Sequence, residues 1–145
     1  HLLLIKKIDL LPIYFQKIII PPQVLAELIH PHAPESVRSF CKYLPSWLEM
    51  RSPQHIIKLP RLGLGEEAAI NLAMELKADL LLIDDKCGRD TAMKSPFSLN
   101  IIGTLGLLEK AASENRIQLC EVINQLLQTN FHISPKLIRE LVKNP

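Results

Sequence analysis

Long hydrophobic runs and an excess of one charge are both missing from this chain of 145 residues. No apolar stretch approaches the roughly 18–20 residues that a transmembrane helix requires, so we expect no membrane association. The 17 basic and 15 acidic residues give a formal net charge of +2, and no basic tail is present. Bulk charge therefore gives no support to nucleic-acid binding, although a local basic patch remains compatible with it.

Cysteine and glycine are also sparse, and their spacing excludes several kinds of site. The three cysteines, Cys41, Cys87 and Cys120, lie far apart and form no C-x-x-C pair. Such a set is typical of reduced structural thiols and predicts a cytoplasmic protein. The turn at Gly63 and Gly65 is too short for a dinucleotide-binding fingerprint, and no Gly-Lys-Ser/Thr phosphate loop occurs.

The composition is that of an ordinary globular domain, with 48% hydrophobic and 22% charged residues. Short apolar runs predict buried strands at 17–20, 55–59, 80–83 and 99–102. Amphipathic stretches predict helices at 2–11, 23–29, 34–44, 66–77, 105–112 and 118–128, a last helix that begins at Ser134-Pro135, and a loop or short helix at 86–94. We therefore expect one α/β domain over residues 1–145, with a parallel sheet covered by helices on both faces.

The strongest candidate for chemistry is the acidic pair Asp84-Asp85, which directly follows the apolar run 80–83. Open α/β sheets bind ligands at the carboxyl ends of their strands. Two adjacent carboxylates repel each other unless a cation or basic substrate compensates them, which favours a metal site. The structural alternative is that one of the two caps the following helical turn while the other is solvated.

Two further glutamates are candidates, each with a plain structural alternative. Glu66 lies in the first turn of the helix at 66–77, where an acidic side chain also interacts favourably with the helix dipole. Because that helix runs antiparallel into the strand at 80–83, we expect Glu66 to meet Asp84. Glu27 points away from the apolar face of its helix, as a solvated surface charge also would.

Carboxylates that converge on one point suit Mg²⁺ or Mn²⁺, which prefer oxygen ligands. Such an ion supports in-line displacement at phosphorus, and without it the carboxylates would repel a phosphodiester. Lys86 and Arg89 follow the acidic pair and are candidates for phosphate contacts, or else simply surface charges. Thr104 is expected to cap a helix, and its place at the end of another strand also makes it a candidate for touching a phosphate.

Together these segments resemble PIN-like nuclease domains, in particular the VapC-type toxins and the related predicted nucleic-acid-binding proteins. The resemblance covers nearly the whole chain. It is carried by the motifs Ile20-Pro21-Pro22-Gln23-Val24-Leu25-Ala26-Glu27-Leu28, Gly65-Glu66-Glu67-Ala68-Ala69-Ile70-Asn71-Leu72-Ala73, Ala78-Asp79-Leu80-Leu81-Leu82-Ile83-Asp84-Asp85 with Gly88-Arg89, Ile102-Gly103-Thr104-Leu105-Gly106-Leu107-Leu108, and Phe131-x-Ile133-Ser134-Pro135.

The resemblance implies a three-layer α/β/α fold with a central parallel sheet and metal-dependent cleavage of RNA. It implies that Glu27, Glu66 and Asp84 bind the metal or orient its water, with Asp85 as an alternative to Asp84. It further implies the toxin half of a toxin–antitoxin pair, a small antitoxin partner that blocks the acidic cleft, and a homodimer. The family's first strand, which ends in a metal-binding Asp, is expected upstream of His1; if the protein lacks it, the site loses a charge.

Two other functions remain open at this point. The first is a PIN-like module without catalysis that binds RNA or a partner protein. The second is a receiver-like phosphoacceptor domain, which also uses an acidic pair but needs it near the amino end. Here the pair lies past the midpoint of the chain, which disfavours the receiver.

Overall fold

The computed structural model describes residues 1–143 of the chain. Within them, helices and strands follow one another along the whole length. Their bounds are α1 Leu10–Tyr14, β1 Ile18–Ile20, α2 Pro22–Leu28, α3 Glu35–Lys42, β2 Leu48–Met50, α4 Leu64–Glu75, β3 Leu81–Leu82, α5 Lys86–Met93, β4 Ile101–Ile102, α6 Thr104–Ser113, α7 Leu119–Leu127 and α8 Pro135–Lys143.

The strands pair in parallel, as the sequence predicts. Strand β1 pairs with β2, with Ile18 opposite Leu48. Strand β3 pairs with β4, with Leu81 opposite Ile101. The described residues thus contain two separate two-stranded sheets. The α/β class is confirmed, whereas the single central sheet within three layers is not seen in this pairing.

Local sequence signals explain several element boundaries. Pro21 occupies the N-cap of α2 in an extended conformation, and Pro22 takes the first helical position, where its missing N–H costs nothing. The Ser134 hydroxyl accepts a 3.2 Å hydrogen bond from the Leu137 backbone N–H and caps α8. These two starts are confirmed as predicted.

The chain forms two compact units, each with its own buried side chains. One unit comprises residues 11–103, and the other comprises residues 1–10 together with the chain from Thr104 onward. The core of the first is built around Ile70, Ala73, Leu81, Ile83, Ala92 and Phe97. In the second, the buried apolar side chains include Leu2, Ile5, Leu107, Leu108, Val122, Ile123 and Leu126.

The structure differs from the prediction at two predicted elements and at one strand that was not predicted. Residues 2–6, predicted as the start of a helix at 2–11, form a hydrogen-bonded turn instead. Lys6 has a left-handed backbone conformation with φ of 54°, and the Lys7 N–H donates a hydrogen bond to the Leu2 carbonyl. Strand β2 at Leu48–Met50 was not predicted, because it is only three residues long and lies in a proline-broken stretch. The strand predicted at 55–59 does not form, since no other strand pairs with its backbone.

Membrane insertion finds no support in these helices. Within residues 1–143, none combines the length and the apolar character needed to cross a bilayer.

Candidate metal-binding carboxylate site

Helices α2 and α4 pack against each other, and this contact brings Glu27 to the amino end of α4. The Glu27 Oε1 atom accepts a 3.1 Å hydrogen bond from the Gly65 backbone N–H. Gly63 is the N-cap of α4 and provides no side chain to cap the exposed N–H groups. The Glu27 carboxylate therefore caps α4 from a different helix.

Two glycines allow the carboxylates to approach the backbone this closely. A Cβ atom at Gly65 would lie 2.7 Å from both carboxylate oxygens of Glu27. A Cβ atom at Gly63 would lie 2.5 Å from Glu66 Oε2 and 3.9 Å from Glu27 Oε1. Because both distances are measured from one point, the carboxylates of Glu27 and Glu66 lie next to each other at Gly63.

The charges of this glutamate pair are only partly balanced by the helix. A helix amino terminus carries the equivalent of about +0.5 charge, against two carboxylates with −2 in total, which leaves roughly −1.5. Glu27 is exposed and Glu66 is half-buried, so both are accessible from solvent. The pair therefore attracts a cation.

Asp84 lies just after β3, at the carboxyl ends of β3 and β4. A Cβ atom at Gly103 would lie 3.0 Å from Asp84 Oδ1 and 2.9 Å from Arg89 Nη1. The guanidinium of Arg89 thus approaches the same point as the Asp84 carboxylate. The negative charge of Asp84 therefore has a cationic neighbour, whereas the atoms nearest to Gly63 and Gly65 belong to the carboxylates of Glu27 and Glu66.

Asp85 has the structural role that the sequence left open for one member of the acidic pair. It is the N-cap of α5, and its Oδ2 atom accepts a 2.7 Å hydrogen bond from the Gly88 backbone N–H. Substitution of an N-cap aspartate by alanine costs typically about 1 kcal/mol. The cap accounts for Asp85 without a metal.

The candidate phosphate-binding residues differ in exposure. Lys86 is the first residue of α5 and is exposed, as is Arg89 on the same helix. Thr104 is the first residue of α6 and is buried, with 3% of its surface exposed. The two cations are open to a phosphate in solvent, whereas contact of Thr104 with a phosphate remains a prediction.

The carboxylates that lie close together here are two, those of Glu27 and Glu66, rather than the three predicted. Among residues 1–143, no three His, Cys, Asp or Glu side chains lie close enough together to form a metal-binding group. Mg²⁺ is usually held by one or two carboxylates, together with water and substrate phosphates. The pair Glu27 and Glu66 fits that requirement. The prediction that Asp84 joins them in a single site remains untested.

Sequence analysis missed the polar face of α4. Glu67 and Asn71 are buried, and they and Glu75 hydrogen-bond to the backbone of residues 54–59. Polar residues at every fourth position of one helix were the available signal. It was overlooked because the neighbouring alanine and isoleucine residues already form a convincing apolar face.

A family model described as a PIN domain matches residues 1–144. Neither the curated proteins nor the solved structures contain a significant match to the chain.

Proposed function

The chain belongs to the PIN domain family, and on this premise we propose that it is a metal-dependent endoribonuclease. PIN domains are generally nucleases and typically use divalent metals. The observation that carries the proposal is the approach of Glu27 and Glu66 to one point beside the glycines of α4. A carboxylate pair whose charge the helix balances only in part suits a divalent cation better than it suits a neutral ligand.

The residues have distinct roles in this proposal. Glu27 and Glu66 hold Mg²⁺ or Mn²⁺, which when bound polarises a phosphate oxygen and supports attack at phosphorus. The hydrogen bond from Gly65 fixes the orientation of the Glu27 carboxylate, so that its second oxygen remains available. Asp84 positions the substrate or contributes to the acidic site, and Asp85 serves mainly as the cap of α5.

Arg89, Lys86 and Thr104 are the substrate-binding residues of this proposal. The exposure of the two cations at the start of α5 supports contacts with the RNA backbone. Arginine can bind a phosphate through two parallel hydrogen bonds. Arg89 therefore holds a phosphate while Asp84 keeps the guanidinium in place.

The proposal extends to the architecture of the whole chain. A single PIN-like domain with a three-layer arrangement around one parallel sheet is supported by the family match over residues 1–144 and by the parallel pairing in both sheets. The toxin role, a small antitoxin partner and a homodimer are supported by the resemblance to VapC-type proteins. A cytoplasmic location is supported by the three unpaired cysteines.

Cleavage of a fluorescently labelled single-stranded RNA by the full chain tests the proposal. We expect cleavage with Mg²⁺ or Mn²⁺, none with a chelator, and a loss of roughly 100-fold or more in Glu66→Gln. Glu121→Gln is the matched control, because Glu121 also lies in the first turn of a helix and is exposed. Equal cleavage by Glu66→Gln and wild type, in preparations free of contaminating nuclease, would contradict the proposal.

A non-catalytic module that binds RNA or a protein is the second candidate. The absence of any metal-binding group of three His, Cys, Asp or Glu side chains among residues 1–143 favours it, because fewer carboxylates then act on one ion. Metal-independent RNA binding without cleavage would identify this function. In that case Glu66→Gln would leave RNA affinity unchanged.

A further inference from the structure

A cleft of about 550 Å³ lies in the second compact unit and shares no residue with the carboxylate site. It is lined by residues 4–7 and, at the carboxyl end of α7, by Gln125, Gln128 and Thr129. Ile5 is 3% exposed and Leu4 is half-buried, so one side of the cleft is apolar. Sites for small molecules have volumes of roughly 300–1,000 Å³. The cleft is therefore large enough for a molecule of the size of a nucleotide.

Two adjacent lysines of this cleft have no carboxylate partner. Lys6 is exposed and Lys7 is half-buried. Within residues 1–143, no acidic side chain forms an ion pair with either of them. Their like charges repel each other, and an anion that contacts both ammonium groups removes this repulsion. The cleft thus presents two positive charges to a ligand.

The charges around the cleft limit how far its attraction reaches. The carboxyl end of α7 carries the equivalent of about −0.5 charge against the two ammonium groups. Asp9 and Glu121 are the nearest acidic residues along the two lining segments, and both are exposed. Neither lines the cleft. Their charges offset those of the lysines at long range, where solvent ions also screen them. Recognition therefore depends on direct contact with the ammonium groups and not on a basic surface.

The two glutamines add uncharged hydrogen-bonding groups. Gln125 and Gln128 are exposed, and their side-chain amides have no hydrogen bond within residues 1–143. Each amide offers N–H donors and a carbonyl acceptor. The Thr129 hydroxyl, in contrast, donates to the Leu126 carbonyl at 2.6 Å and accepts from the Phe131 N–H at 3.1 Å. The lysines and glutamines therefore provide the groups that bind a ligand, while Thr129 is fixed in the wall.

The turn at residues 2–7 sets the position of both lysines. The Lys7 N–H donates to the Leu2 carbonyl at 2.8 Å, and the Lys6 N–H donates to the Leu3 carbonyl at 3.1 Å. Lys6 has a φ of 54°, in the left-handed region that glycine adopts most readily. Lys6→Gly would therefore keep this turn while it removes the ammonium group. Charge and folding can thus be separated at this position.

We propose that this cleft binds the phosphate group of a nucleotide, either free or at the end of an RNA chain. A phosphate monoester carries about −1.5 to −2 charge and three acceptor oxygens. Lys6 and Lys7 contact these oxygens, and lysine is a common phosphate ligand. The glutamine amides donate to the remaining oxygens, and Leu4 and Ile5 contact the apolar face of the base. The inference does not depend on the proposed nuclease activity.

Titration of adenosine 5′-monophosphate (AMP) into the full chain labelled with ¹⁵N tests the proposal. EDTA is present throughout, so that no divalent ion at Glu27 and Glu66 holds the phosphate. We expect the backbone amide signals of residues 6 and 7 and the side-chain amide signals of both glutamines to shift. Adenosine, which lacks the phosphate, should bind at least about tenfold more weakly. Equal affinity for AMP and adenosine would overturn the proposal.

Two variants and a control locate the site. Lys6→Gly and Lys7→Gln should each weaken AMP binding about tenfold or more, because each removes one charge that contacts the phosphate. Lys6→Gly should not lower the melting temperature, since the backbone φ at this position favours glycine. Lys136→Gln, at an exposed position of α8 in the same unit, is the matched control and should bind like wild type. Unchanged affinity in both Lys6→Gly and Lys7→Gln would overturn the proposal.

Two RNA probes identify the source of the phosphate. A short RNA with a 5′-phosphate and the same RNA with a 5′-hydroxyl are titrated under the same conditions. Tighter binding of the phosphorylated RNA supports an RNA end as the ligand, and binding of AMP alone supports a free nucleotide. Failure of both AMP and the phosphorylated RNA to bind, or equal binding of the two RNAs without binding of AMP, would overturn the proposal. Because no metal is present, none of these outcomes depends on whether the chain is a nuclease.

Discussion

At the scale of single residues, the site depends on the absence of side chains as much as on their presence. Gly65 is buried, and the Glu27 carboxylate occupies the space that its Cβ would fill. Glu27 is a cap for α4 and a candidate metal ligand at once. Because a carboxylate has two oxygens, the two roles are compatible.

Gly65→Ala is therefore expected to damage both stability and metal binding. The new methyl group displaces the Glu27 carboxylate and breaks its hydrogen bond, at a cost of about 2 kcal/mol in the free energy of unfolding. Urea denaturation and Mn²⁺ titration measure the two effects. Leu64→Ala, at an exposed neighbouring position, is the control. Unchanged Mn²⁺ affinity in Gly65→Ala would contradict this use of Glu27.

Neighbouring aspartates should respond differently to substitution. Asp85→Ala removes the α5 cap and should lower the free energy of unfolding by about 1 kcal/mol. Asp84→Asn should reduce RNA cleavage while changing stability less than Asp85→Ala does. Denaturation curves and a cleavage assay, with Asp90→Asn as the control, separate the two. A larger loss of stability in Asp84→Asn would reverse the assignment.

Cys41 provides a prediction about pH. Burial raises the pKa of the Cys41 thiol above the ordinary range for cysteine, because desolvation disfavours the thiolate. At pH 8 the reactive thiolate is therefore scarce, and alkylation by iodoacetamide should be slower at Cys41 than at the exposed Cys120. The rate at Cys41 should still rise with pH above 9. Mass spectrometry measures the extent of alkylation at each cysteine. Faster alkylation of Cys41 than of Cys120 at pH 8 would refute this prediction.

At the scale of elements, α4 combines two functions on different parts of its surface. Its amino end meets Glu27 and carries Glu66, while the row Glu67, Asn71 and Glu75 binds the backbone of residues 54–59. The same helix also contributes Ile70 and Ala73 to the core. Changes to α4 should therefore affect the carboxylate site and the attachment of residues 54–59 together.

Asn71→Ala tests the attachment of that segment. The substitution removes the acceptor of the Ile57 N–H and the donor to the Ile57 carbonyl. Because both backbone groups lose their partner, we expect the free energy of unfolding to fall by about 2–3 kcal/mol. Thermal unfolding measures this loss, and the Ile57 amide should become fast in hydrogen exchange. Asn124→Ala, at an exposed position of α7, is the control. An Ile57 amide that stays slow would show that another group holds the segment.

An element could be predicted when the residues that determine its structure lie close to it in the sequence. The run at Ile18–Ile20 and the prolines that follow it gave both the strand and the helix start, because apolar pattern and proline act locally. The segment 55–59 has the composition of a strand, but its partner is a row of helix side chains that lie 8 to 20 residues further along the chain. Periodicity along one segment does not reveal which groups its backbone meets.

At the scale of the whole molecule, the order of the motifs identified the family correctly, because a match over residues 1–144 uses all of them at once. Glu27, Glu66 and Asp84 were predicted to gather at one metal ion; Glu27 and Glu66 approach the same glycine, and the inclusion of Asp84 stays a prediction. That Asp84 would lie beside Arg89 was not foreseen. Distances between elements depend on packing, which short motifs do not specify.

Calorimetric titration of Mn²⁺ into the full chain tests the central claim most directly. We predict that wild type binds the ion, that Glu27→Gln and Glu66→Gln each weaken binding at least about 10-fold, and that Glu121→Gln binds like wild type. The reason is that each glutamine removes one of the two charges that face the ion. Undiminished Mn²⁺ binding in both Glu27→Gln and Glu66→Gln would contradict the account.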